Sequence, residues 1–220
     1  MEAIKSLILY RFKTLSLLVV TLTFSVTVLM IRMKLNQSFF FLFLMWNLFL
    51  ALIPYTISFY LTSKENITTL YLAFGFIIWL LFLPNAPYMV TDFIHLRTGN
   101  NFHLWLDIIV ILSFALSGLL LFFMSLLDMQ KCIEIKFNKI TIQTLTLSVI
   151  FLSGFGVYLG RFLRYNSWEI ISQPQYLFKD ISAILMSPLQ YSEAWLFSLG
   201  FGTFLSVGFW LFKNFYRFEN

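Results

Sequence analysis

Residues 83–107 read LPNAPYMVTDFIHLRTGNNFHLWLD, with two prolines and a Thr98-Gly99-Asn100 turn between two strongly apolar segments. Pro84 and Pro87 lack an amide donor and restrict Leu83 and Ala86, so a helix arriving from the N-terminal side is expected to stop here. After them come Asp92, His95, Arg97, His103 and Asp107. Outward from this stretch the chain is mostly hydrocarbon. With 60% hydrophobic and only 11% charged residues, and a mean hydropathy of +0.83, it departs from the composition of a soluble domain.

The apolar runs predict an all-α fold, a polytopic transmembrane bundle of about six spans forming a single integral membrane domain over residues 1–220. The spans fall near 14–31, 39–61, 67–83, 108–127, 140–160 and 194–212, each long enough to cross the hydrocarbon core of a bilayer. Charged residues bracket them: Arg32 and Lys34 follow the first, and Asp107 and Asp128 enclose the fourth. Read this way, no Asp, Glu, Lys, Arg or His lies inside any span, which counts against coupled ion transport. Pro54 interrupts the second span, so a neighbouring helix or water must satisfy the carbonyl it frees.

No connection is long enough for a soluble domain. The longest, 161–193, carries an approximate capping box at Asn166-Ser-Trp-Glu169, then Pro174, then a helical segment near 177–186 closed by Ser187-Pro188, which predicts short interfacial helices. The net charge of +5 reflects cations at span ends and implies no nucleic-acid partner. Lys and Arg are in modest excess in the segments on the N-terminal side of the membrane, placing both termini in the cytoplasm. The single cysteine, Cys132, excludes an intrachain disulfide. Small residues at Gly156 and Gly160, at Ser113 and Ser117, and at Ser198, Gly202 and Ser206 mark close packing. They suit spans four, five and six of one chain better than a homodimer.

The strings WLLFLPNAPYMVTDFIHL, WLDIIVILSFALSGLL and GRFLRYNSWEI resemble the pattern of a bacterial family of multi-pass membrane proteins known as domain of unknown function 1361. The resemblance runs from about the second span to just past the fifth. It implies an integral protein of the bacterial plasma membrane and carries no activity with it.

Chemistry must therefore be read from side chains. Asp92 and His95 stand three apart, and His103 and Asp107 four apart, so on helices each pair presents carboxylate and imidazole on one face. A fold-back at the turn brings the four together as candidate catalytic residues or as ligands for a divalent transition metal such as zinc, manganese or iron. The competing reading makes the two aspartates helix caps and the histidines surface hydrogen-bonders. Arg161 and Arg164 with Trp168 and Glu169, and the amide of Asn85, are candidates for substrate binding. The arginines equally suit snorkelling to the interface, or a cationic shelf for a lipid head group or for Asp92 or Asp107. Two functions stay open: a small membrane enzyme acting on a lipid or envelope precursor at the bilayer surface, and a non-catalytic structural or assembly subunit that binds another membrane protein. A transporter is the third.

Overall fold

The computed structural model describes residues 5, 7–9, 11–64, 67–98, 104–134 and 136–219, and among them all regular structure is helical. The main elements are α1 (Phe12–Asn36), α2 (Phe43–Thr62), α3 (Thr69–Phe82), α4 (Asn85–Tyr88), a 3-10 helix (Met89–Thr98), α5 (Leu104–Glu134), α6 (Lys139–Arg161), α7 (Glu169–Ser172), α8 (Pro174–Met186) and α9 (Ser192–Glu219). Six helical segments are long and apolar enough to cross a membrane: 12–36, 40–62, 69–96, 104–134, 139–161 and 192–216. Two compact units divide the chain, residues 1–135 and 136–220.

The first unit is built around α5, which packs against α1, α2, α4 and the 3-10 helix. Its most apolar stretch is 67% buried, against 22–39% for the other five segments, so it is the inner helix and its neighbours present their outer sides to lipid. The three serines of α5, Ser113, Ser117 and Ser125, consequently face protein. Ser125 accepts the Trp79 indole N–H of α3 at 2.7 Å and donates to the Pro54 carbonyl of α2 at 3.1 Å, with the Ser58 hydroxyl 3.0 Å away. Each group is buried where no water can replace a lost partner, so the network ties three helices at the level of the Pro54 interruption. A neighbouring helix thus does supply polar contacts there, although the carbonyl engaged is that of Pro54 itself.

The helix arriving at Pro84 stops there as expected, but the chain does not stay out of helix for long. Helix α3 ends at Phe82, yet the chain turns for two residues and becomes helical again as α4, with Pro84 as its N-cap and Pro87 in its first turn. First-turn amides have no acceptor within their own helix, so a proline there sacrifices no hydrogen bond. A helix restarts at the two prolines, and the third candidate span continues to Leu96.

Charged residues also prove to be poor markers of helix ends. Arg32 lies inside α1, and Asp107 and Asp128 lie inside α5. All three are buried, as are Asp92 and Arg11, the residue just before α1. The helices therefore extend beyond the span limits read from the sequence, and Arg32, Asp107 and Asp128 sit toward their ends and not at their middles.

In the second unit α6 packs against α9. A Cβ added at Gly154 would lie 3.0 Å from the Ser198 carbonyl and 3.2 Å from the Gly202 amide, and one at Gly202 would strike the Phe151 ring. These positions let the two backbones approach, as small residues do in membrane helices. Gly154 thus joins the Ser198 and Gly202 face in this crossing, while Gly156 and Gly160 are half-buried. Helices α7 and α8 are the two short helices expected in this connection. Pro174 opens α8, Leu177 and Ile184 are its buried residues, and the Trp195 indole of α9 donates to the Ile184 carbonyl at 3.2 Å. Tyr158, Ile184 and Ala194 form one buried cluster of this unit.

Candidate functional site

The LPNAPY turn is held by its own side chains and by the shape of α5. The Asn85 amide donates to the Phe82 carbonyl at 2.9 Å, capping the end of α3, which accounts for this residue as a turn former. Thr91 donates back to Tyr88 at 2.7 Å. Gly118 of α5 allows the closest approach: a Cβ there would lie 2.3 Å from the Ala86 carbonyl oxygen.

On the 3-10 helix, residues three apart eclipse one another, so Asp92 and His95 share a face and sit about 6 Å apart along the axis. Asp92 is fully buried, and its carboxylate accepts from the Asn47 side-chain amide of α2 at 3.1 Å. His95 is half-buried, edge-on to the Phe43 ring at 4.9 Å and the Phe40 ring at 6.1 Å. The expected carboxylate and imidazole on one face are present, set against aromatic side chains around the start of α2.

Asp107 has a different partner. Its carboxylate accepts from Arg32 Nε at 2.8 Å, while Arg32 Nη1 donates to the Ser38 carbonyl at 3.2 Å and the guanidinium stands 4.4 Å above the Phe41 ring. Both charges are nearly inaccessible, so this is a desolvated, hydrogen-bonded ion pair. At the opposite end of the same helices Arg11 Nη1 meets Asp128 at 2.5 Å, while Arg11 Nε and Asp128 Oδ2 find no hydrogen-bond partner among the described residues. Arg11 is separated from Arg32 by as many residues as Asp107 is from Asp128. At 1.5 Å per helical residue the two pairs stand about 32 Å apart, close to the thickness of a bilayer's hydrocarbon core. Helix α1 therefore runs antiparallel to α5 with an ion pair near each border, and Ser25 meets Ser117 between them at 3.1 Å.

Of the four residues expected to assemble, the structure places Asp92 and His95 on one short helix and pairs Asp107 with Arg32; His103 lies outside the described residues. Among those described, no three His, Cys, Asp or Glu side chains are grouped to hold a metal. Arg11 and Asn47 had no part in the sequence reading, and Arg32 and Asp128 entered it only as span boundaries. The equal spacing of two arginines and two aspartates was the available signal.

The remaining candidates belong to the second unit. The Glu169 carboxylate accepts from the Asn166 backbone amide at 3.0 Å and from its side chain at 3.3 Å, but this is only the reach-back half of a capping box: α7 opens at Glu169 with Trp168 as its N-cap and no side-chain cap bond. Trp168 and Arg164 are exposed, and Arg161 ends α6 half-buried. The Tyr165 hydroxyl donates to Asp180 at 2.8 Å, and that carboxylate raises the phenol's pKa above its ordinary value. Arg164 adopts a left-handed backbone, φ 63°, just past the end of α6. Glycine takes that conformation without a steric penalty, so Arg164→Gly should raise stability by about 1 kcal/mol. Thermal unfolding in detergent checks this, and a loss would mean that the arginine side chain holds contacts worth more than the strain.

Taken together, six membrane-length apolar helices with buried polar networks and ion pairs between them define a multi-pass membrane protein. A family model described as a protein of unknown function, DUF1361, matches residues 46–207, and the chain belongs to that family. No curated protein and no solved structure matches the chain.

Proposed function

We propose that the protein is a small membrane enzyme of the bacterial plasma membrane that acts on a lipid or envelope precursor at the bilayer surface, with Asp92 and His95 as its proton-transfer pair. The observation that carries this reading is a fully buried carboxylate one 3-10 turn from a half-buried imidazole. An ionisable group within an apolar segment is costly to keep, which makes it the first candidate for function. Imidazole titrates near neutrality, and an adjacent carboxylate tunes and orients it for acid–base work. Asp107 leaves the chemical set, because Arg32 holds it.

The test compares lipid and precursor profiles of a deletion strain complemented with wild type, Asp92→Asn or His95→Gln, with each variant checked for folding. One species should accumulate in the deletion strain and in both variants, and purified wild type in nanodiscs should consume it. Chelation should leave the melting temperature unchanged. A fall would instead support a metal held by Asp92, His95 and His103, since a ligand that binds the folded state stabilises it.

An assembly subunit is the second reading, favoured by the two ion pairs and serine contacts that stitch the first unit together. It predicts that no species accumulates and that a membrane partner co-purifies equally with wild type and both variants.

Both termini are proposed to be cytoplasmic. Cys132 is buried beside Thr62 and cannot report sidedness, whereas Lys136 and Gln173 are exposed on either side of α6. In a Cys132→Ser background, an impermeant thiol reagent should label Gln173→Cys in intact cells and spare Lys136→Cys. The inverse pattern would reverse the orientation.

A further inference from the structure

A cavity of about 340 Å³ lies between α2 and α3, at the end of these helices remote from Asp92. Its walls are almost wholly apolar, formed by Ile57, Leu61, Phe74 and Ile78, and where Gly75 lacks a side chain Leu61 packs in to close the floor of this apolar channel. Phe74 and Tyr71 are 63% and 47% exposed, so the channel borders the lipid-facing surface. Its mouth is polar. The Tyr60 and Tyr71 side chains line it, and the Lys64 ammonium stands 5.0 Å from the Tyr60 ring.

We infer that this groove binds one anionic phospholipid, with an acyl chain in the channel between α2 and α3 and its phosphate against Lys64 and Tyr60. An ammonium has three N–H donors, and the phenol of Tyr60 has a proton of its own to donate. A phosphate oxygen at the mouth therefore meets converging donors and a positive charge, and a charge-assisted hydrogen bond is the strongest kind available there. The volume falls within the range of small-molecule sites, and its apolar walls suit hydrocarbon. This site is independent of the Asp92–His95 pair.

Purified full-length protein in nanodiscs mixing phosphatidylglycerol with phosphatidylcholine tests the inference, with retained lipid read by native mass spectrometry. Wild type should retain phosphatidylglycerol with several-fold enrichment over its share of the mixture. Lys64→Gln should abolish the enrichment, and Thr56→Phe, which fills the channel from an exposed position, should abolish retention of either lipid. Ile78→Phe provides a second filling variant should Thr56→Phe not fold. Unchanged enrichment in Lys64→Gln, unchanged retention in a folded filling variant, or a filling variant that converts a dimer to a monomer would each overturn the assignment.

Discussion

Asp107→Ala should unfold at far lower temperature than wild type, with a loss of about 3–5 kcal/mol, because it leaves the Arg32 guanidinium buried without its counter-charge. The size of the loss follows from desolvation and does not measure what the pair adds over an apolar alternative. Replacing both partners, as in Arg32→Met with Asp107→Leu, should therefore restore most of the stability. Exchanging them, Arg32→Asp with Asp107→Arg, should recover only part, since the cation would leave the face of Phe41 and the Ser38 carbonyl. Thermal or denaturant unfolding in one detergent compares the three. A single mutant within about 1 kcal/mol of wild type would show that Arg32 escapes to the interface when released, as long cationic side chains do.

Gly118→Ala carries the second large effect. The added methyl would sit 2.3 Å from the Ala86 carbonyl and 2.5 Å from the Met89 methyl, and although the methionine can move, the backbone of α4 cannot without displacing the whole turn. Overpacking ordinarily costs about 1–3 kcal/mol, and a backbone obstacle places this substitution at or beyond the upper end. Because α4 leads directly into the 3-10 helix, any activity assigned to Asp92 and His95 should fall with it. Gly200→Ala is the matched control. Nothing lies within 4 Å of its added carbon, so the gain in helix propensity should stabilise α9 by up to about 1 kcal/mol.

Six spans were legible because a chain that folds in water rarely carries an uncharged apolar run long enough to cross a bilayer, and this one carries six. Their ends were not, because Arg32, Asp107 and Asp128 look like boundaries until each is seen opposite its partner. Those partners lie 75 and 117 residues away, and only knowledge of which helices are neighbours reveals them. Pro84 was legible as a break but not as a restart, since the turn packs against Gly118 on a helix still to come. Asp92 and His95 were placed on one face by their spacing alone, which three-residue turns and α-helices satisfy equally. The close crossing at Gly154 was missed in favour of Gly156 and Gly160 because a pattern of small residues says nothing about which of them meets another helix.

The sequence separations of the two ion pairs also set an order of events during synthesis. At roughly 5–20 residues per second, Asp107 follows Arg32 out of the ribosome after about 4–15 s, and Asp128 follows Arg11 after about 6–23 s. An α-helix forms in microseconds or less. Helix α1 must therefore wait in the bilayer as a cationic rod, its arginines reaching for opposite head-group layers, until α5 is delivered beside it. During that interval its charge is available to the forces that choose which end stays in the cytoplasm; once α5 docks, the same charge is neutralised. Orientation and final packing thus draw on the same two arginines at different times.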